Sequence, residues 1–447
     1  MDNTLSAHII TYGCQMNKRD GEILSDALAG DGFYLSPTPQ GCDVIVVLTC
    51  AVREHAVVRA LGRIKDLSRH RKENPNLLIA VGGCVAQTEA ERIQEEAPFV
   101  GLIFGTSQLH HLPQLIEKAL ASPQTVLSLD TEASPDHLLP PTIGNRKNTV
   151  SAFVAVMRGC NNKCSYCIVP SARGPERYRP AEEITEEAKI LADAGYQQIT
   201  LIGQNVNAWR EDALDFAELL RRVAQKSGIP RLRFVTSHPK NLSDGVIKAM
   251  AEEKNICPAL HLPLQSGSTR VLSAMGRGYT AEEYLSLVRR LQKALPGIAL
   301  TTDLLVGFPG ETEDDFSRTL RMVEEAPFDS AFTFKYSPRK HTSASELSET
   351  LTEEEKVARL QSLIAKVQEV GRIQNRKRLG KSFTALIEGP AKRGGSLGRL
   401  ASGHPIIVPE ELTVGSWVEV EVSDISAWTL RGSVPSSTPA KKATSKI

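Results

Sequence analysis

Aromatic side chains are scarce in this chain, 5% of 447 residues, and no apolar run approaches the ~18 residues that a membrane span requires. The missing apolar run removes the membrane-spanning class. The opening MDNTLSAHIITYGC has neither the basic region nor the long apolar core of a secretory signal, so a cytoplasmic protein is expected. In a reducing compartment the eight cysteines point to metal binding rather than disulfides. Charge of one sign is also lacking: a net +1 leaves no global mark of a polyanionic partner, and any nucleic-acid footprint has to be local. What remains, 41% hydrophobic and 23% charged residues, is the composition of globular domains, about three of them at this length.

Three of the cysteines carry the most information. Cys160, Cys164 and Cys167 stand in MRGCNNKCSYC, a spacing at which one short loop can hold three irons of a cubane cluster. Iron–sulfur clusters usually take four thiolates, so three leave one iron open to bind something else. A structural zinc site competes, but zinc favours two CxxC pairs or a pair of histidines, and no second pair follows. The CxxxCxxC loop resembles the signature of the radical SAM superfamily, in which the open iron chelates S-adenosylmethionine (SAM).

Upstream, β-rich stretches at residues 8–12, 44–48, 77–81 and 101–104 alternate with helical ones, which predicts a doubly wound parallel α/β domain over residues 1–120. Cys14, Cys50 and Cys84 each follow one of the first three strands by two or three residues. Ligands bind at the carboxyl ends of strands in such sheets, so a second metal centre is expected there. Three unrelated buried thiols are the competing reading. Cys42 and Cys257 lack this setting and are read as core or surface thiols.

Residues 121–148 have weak periodicity and read as a linker. Strands at 152–157, 198–202, 232–235, 259–262, 299–306 and 331–336 then alternate with helices, an incomplete (βα)6 barrel within residues 149–375. Its rim loops GQNVNAW, TSHP, PLQSGS, GFPGET and SPRK are polar or glycine-rich and share the cysteine loop's end of the strands, where barrels place active sites. Beyond this, SFTALIEG, HPIIVP and SWVEVEVS predict a small OB-like β-barrel over residues 376–437, followed by a disordered tail, 438–447. From residue 371 onward twelve Lys and Arg face six Asp and Glu. Arg376, Lys377, Arg378 and Lys381 are therefore candidates for binding RNA backbone, with a solvated helix end as the alternative.

TYGCQMN, TCAVREHA, GGCVAQ, RGCNNKCSYCIVPSARG, LIGQNVNAW, HLPLQSGS, DLLVGFPGET and FKYSPR together resemble the ordered signature of the methylthiotransferases, over nearly the whole chain. QNVNAW and TCAVREHA look most like the tRNA-modifying branch. The resemblance implies methylthiolation at carbon 2 of N(6)-dimethylallyladenosine 37 in tRNA, with one SAM as radical source and another as methyl donor. It implies two [4Fe–4S] clusters, on Cys160/Cys164/Cys167 and on Cys14/Cys50/Cys84, and a C-terminal TRAM domain. Rim residues Gln204, Asn205, Ser237, Gln265 and Gly307 are the SAM candidates. Arg173 and Arg179 would meet the SAM carboxylate or an RNA phosphate. A monomer served by a flavodoxin- or ferredoxin-type electron donor is expected. Threonylcarbamoyl-adenosine in tRNA, a ribosomal-protein aspartate, and a non-catalytic iron–sulfur RNA sensor are the alternatives. The chain departs from the family pattern at Lys340-His341, where Pro-Gly is usual, and at Met157-Arg158, where a more acidic pair is.

Overall fold

The structure, a computed structural model, describes residues 4–51, 54–129, 144–146, 148–326 and 328–435. Six parallel strands form the N-terminal sheet: β1 (Ser6–Thr11), β2 (Tyr34–Leu35), β3 (Val44–Thr49), β4 (Leu78–Gly83), β5 (Leu102–Phe104) and β6 (Val126–Ser128), in the order β2-β1-β3-β4-β5-β6. Helices cover both faces, so every residue of β3 and β4 is buried and their sequences are continuous apolar or small runs rather than alternating ones. Ile45, Val47, Ile79 and Val81 pack on Val57, Leu61 and Ile64. Their neighbours Val44, Val46, Leu48 and Ala80 pack on the other face against Ile23, Leu24 and Leu28, as the two-residue period of a strand dictates. Strands β2 and β6, two and three residues long, are too short to show that period in the sequence. The latter lies in the stretch that reads as a linker, and completes the sheet instead. Most of that stretch and the expected disordered tail lie outside the described residues.

The middle of the chain contributes Ser151–Ala155, Gln198–Ile202, Arg231–Phe234, Ala259–His261, Ala299–Val306 and Ser330–Lys335 as two three-stranded parallel sheets. The Cys257 amide donates to Leu232 O at 2.8 Å, and Leu232 bridges Ile256 in parallel, joining the two into the six-stranded open barrel. Cys257 is thus a buried wall thiol. Helices behind the strands start at capping boxes on Asp215, Thr280 and Thr312, whose side chains satisfy amides that the first turn leaves unpaired. Among the described residues no helix is long and apolar enough to cross a membrane.

Five strands then close a small barrel: Ser382–Pro390, Ser396–Leu400, Pro405–Val408, Trp417–Ile425 and Leu430–Ser433. It docks on the amino ends of the larger barrel's strands. Arg231, first residue of its strand, lies 4.4 Å over the Trp417 ring and donates to Arg399 O at 2.8 Å. Trp417 Nε1 donates to Gln197 Oε1 at 2.8 Å, and Arg378 Nη2 meets Asp329 Oδ1 at 2.6 Å.

The N-terminal domain is held to the barrel by buried charge. Glu187 is fully buried and accepts from Arg19 at 3.0 Å, from Arg146 and from Arg179. Burial pushes its carboxyl up, but the three guanidiniums, Arg179 first, more than offset this and hold it below the usual carboxylate range. Glu187→Ala is expected to destabilise the protein by about 3–5 kcal/mol, because it leaves three buried cations without their common acceptor. A urea titration of the two proteins measures the difference. The wild-type contribution is present above the unfolded carboxylate value, about 4.3, and is lost as pH falls through the depressed folded value.

Candidate active site

Adjacent strands β1, β3 and β4 deliver three thiols to one edge of the N-terminal sheet. Cys14 caps the helix Gln15–Gly30, Cys50 follows β3, and Cys84 opens the helix Cys84–Thr88. Gly13 has φ +106°, and a Cβ there would sit 2.2 Å from Cys50 Cβ, so only glycine lets the two thiol-bearing turns approach. Asn17 Nδ2 donates to both Tyr12 O and Thr49 O at 2.8 Å, tying the two turns together. A hydrogen bond with Cys50, helped by the charge of Arg173, draws the Cys14 thiol down to about 6.

The second thiol set lies at the carboxyl end of the first barrel strand. Gly159, at φ +79°, passes so close to Pro175 O that a Cβ would stand 2.0 Å away. The loop is pinned by Cys160 N to Gly174 O at 3.1 Å and Ser165 N to Met275 O at 3.0 Å, and by Tyr166, which packs against the cluster of Phe308 and Tyr336. Arg277 Nη1 donates to Cys164 Sγ at 3.3 Å, and Asn162 Nδ2 to Cys160 Sγ at 3.4 Å. Cys160, Cys164 and Cys167 face a cavity of 640 Å³ that Pro170, Ser171, His341 and Thr342 also line, within the range of small-molecule sites. Burial pushes the Cys167 thiol up to about 12, so metal loading here releases protons.

Each donor set consists of three thiols. Among the described residues no three His, Cys, Asp or Glu side chains gather closely enough to hold a single metal ion. Each set also has a buried guanidinium on one sulfur, which suits a net-negative cluster.

Comparison with known proteins agrees with this geometry. Residues 154–323 match the radical SAM superfamily, residues 6–105 the family described as uncharacterized protein family UPF0004, and residues 376–434 the TRAM domain. A protein of Caldicellulosiruptor saccharolyticus called tRNA-2-methylthio-N(6)-dimethylallyladenosine synthase is 44% identical over 434 residues, 96% of this chain and 92% of that protein. The protein of the same name from Syntrophomonas wolfei is 42% identical over 438 residues, 96% and 98% of the two chains. The chain belongs to the radical SAM methylthiotransferases. Among solved structures, the radical SAM methyltransferase TsrM of Kitasatospora setae shares its fold, with a TM-score of 0.57 at 15% identity over 76% of this chain and 77% of that one. The cobalamin-dependent enzyme OxsB does so at 0.53 and 13%, over 84% and 62%.

In this methylthiotransferase the rim residues have distinct surroundings. Gln204 Oε1 accepts from Gly159 N at 2.6 Å, bracing the cysteine loop. Gly307 N donates to Glu311 Oε1 at 3.0 Å. Gln265 is buried at φ +76° and exchanges backbone hydrogen bonds with the strand Ala299–Val306. Asn205 Oδ1 and Ser237 Oγ are buried without a partner, as is His238 Nε2, a neighbour that sequence reasoning missed. Burial, with the charges of Arg277 and Lys240, pulls the His238 imidazole down to about 3, so it is neutral. His341 lines the cysteine cavity and holds φ +64°, a backbone conformation that favours glycine.

Two arginines lie elsewhere than the sequence reading put them. Arg173 and Arg179, expected at a SAM carboxylate or an RNA phosphate, are buried at the domain interface: Arg179 on Glu187, and Arg173 on Cys84, Asn17 and Asp20. Arg158, of the pair flagged as a departure, binds Asp20 at 2.7 Å. Both side chains of the pair act structurally, since Met157 Sδ accepts from Gln204 N and Asn205 N. Of the basic stem, Arg376, Lys377 and Lys381 are exposed, whereas Arg378 is half-buried on Asp329. Arg277 carried no motif that sequence reasoning picked out; the string MGRGY around it was the available signal.

Proposed function

We propose that this protein methylthiolates carbon 2 of N(6)-dimethylallyladenosine at position 37 of tRNA, with a SAM-binding four-iron cluster on Cys160, Cys164 and Cys167 and an auxiliary one on Cys14, Cys50 and Cys84. Removing hydrogen from that carbon is beyond acid–base side chains, because the proton is not acidic, so cofactors must carry the step. When bound, the two clusters and SAM supply the one-electron chemistry that breaks the C–H bond and the sulfur that replaces it. The chain's own residues position the parts. The observation that carries the reading is the short helix Val169–Arg173: it begins two residues after Cys167, and its last residue donates to Cys84 Sγ. Both thiol sets therefore flank one short helix, which keeps them near each other as transfer between two cofactors and one base requires. Asn205, Ser237 and His238 offer polar atoms to SAM from the rim, and Gln204 holds the cluster loop against Gly159. An adenine has to leave its stack to enter such a site. The small C-terminal barrel and the exposed Arg376, Lys377 and Lys381 would contact the stem, at the opposite end of the strands.

An anticodon stem-loop carrying dimethylallyladenosine, incubated with reconstituted enzyme, SAM and a flavodoxin- or ferredoxin-type donor, should yield the methylthio product by mass spectrometry. Plain adenosine or threonylcarbamoyl-adenosine in the same stem-loop should react far more slowly. Equal turnover of all three, or reaction of a ribosomal-protein peptide instead, would assign a different substrate. Binding should also weaken steeply with salt, because each phosphate contact releases counterions.

A further inference from the structure

Arg173 is 4% exposed, and all three guanidinium nitrogens point into the N-terminal domain although the residue belongs to the barrel. Nε donates to Cys84 Sγ at 3.3 Å, Nη2 donates to Asn17 Oδ1 at 2.8 Å, and Nη1 pairs with Asp20 Oδ2 at 2.9 Å. Asn17 is the side chain that ties the turns before Cys14 and after Thr49. Asp20 is shared with Arg158, also from the barrel, at 2.7 Å. Two barrel guanidiniums thus face one carboxylate beside three thiols, an excess of one positive charge before any thiol ionises. The helix that carries Arg173 is itself seated on the N-terminal domain. Ile168 and Ala172 join that domain's core, and Thr106 Oγ1 donates to Ala172 O at 2.8 Å.

A buried cation that donates a hydrogen bond to a cluster thiolate stabilises the more negative charge state, and hydrogen bonds to sulfur are among the determinants of cluster potential. We propose that Arg173 is a positioning residue that the barrel lends to the auxiliary site, where its bond to Cys84 raises the reduction potential of the cluster held by Cys14, Cys50 and Cys84. The inference rests on the assignment of a cluster to those three cysteines. In the step concerned one electron enters the cluster from the donor, no covalent bond forms or breaks, and Arg173 remains protonated throughout. The side chain therefore couples the two halves of the enzyme. The residue that orients the auxiliary site is fixed by the same loop that carries Cys160, Cys164 and Cys167, so that site reaches its working potential only with the barrel loop seated.

The test is a redox titration with dithionite, followed by electron paramagnetic resonance on reconstituted full-length chains. The auxiliary cluster is observed in a background with Cys160, Cys164 and Cys167 replaced by Ala, and the barrel cluster with Cys14, Cys50 and Cys84 replaced. Arg173→Met should lower the auxiliary midpoint and leave the barrel midpoint unmoved, while Arg173→Lys, which keeps the charge, should fall between Met and the parent. An unmoved auxiliary midpoint in Arg173→Met, equal shifts in both clusters, or loss of auxiliary iron in both variants would overturn the proposal, the last by making Arg173 a folding element only. If the parent background with only Cys14, Cys50 and Cys84 holds no cluster at all, the assignment of the site has failed instead.

Discussion

A chain with Cys160, Cys164 and Cys167 all replaced by Ala is expected to keep about four of about eight irons after reconstitution and to release no 5′-deoxyadenosine from SAM. The two thiol sets lie on separate elements, one on the edge made by β1, β3 and β4 and one on the loop after Ser151–Ala155, so emptying the barrel set leaves the ligands of the other in place. The barrel loop is held by contacts that do not involve its thiols: Ser165 N to Met275 O, Ala344 N to Ser165 O, and the burial of Tyr166 against Phe308 and Tyr336. The substitution should therefore cost cluster and SAM cleavage while the fold survives. Iron and sulfide assays with chromatography of the nucleoside products measure both effects. Iron falling to zero would mean that the six cysteines share a single cluster.

Replacing Cys14, Cys50 or Cys84 singly by Ala should have the reverse signature, with 5′-deoxyadenosine still formed and the methylthiolated base absent. Arg277, Asn162 and the cavity beside Cys160 belong wholly to the barrel, so SAM cleavage does not depend on the N-terminal thiols. Sulfur delivery does under the proposed assignment, in which each of the three is one of three ligands, and a cluster that usually takes four cannot readily lose another. Cys14→Ala adds a distinct effect: it removes the thiol that Cys50 and Arg173 hold in its ionised range, and iron loading at neutral pH should slow. Product at the wild-type rate from any single variant would strike that cysteine from the ligand set.

Local spacing in the sequence carries the proposed chemistry of this protein. Cys160, Cys164 and Cys167 lie within one loop, so eight residues suffice to raise the proposal of a cluster with an open iron, and a thiol repeated after successive strands raises that of a second site at one sheet edge. Continuous apolar runs between helical stretches likewise announced the parallel sheet and the six-stranded partial barrel, and alternating runs such as WVEVEV the small C-terminal barrel. Short strands escaped, since Tyr34–Leu35 and Val126–Ser128 complete less than two periods and owe their conformation to the neighbours they pair with. Tertiary structure alone decided what each arginine does. Guanidiniums are long and carry the same charge everywhere, so their partners depend on which elements fold beside them. Arg173 meets a thiol 89 residues away and Arg277 one 113 residues away. Arg378, read as part of an RNA-binding stem, is half-buried on Asp329 because the small barrel docks where that carboxylate waits. Motifs that close within a loop are written in the chain; the buried cations that orient them arise only when distant elements pack and water is excluded from between them.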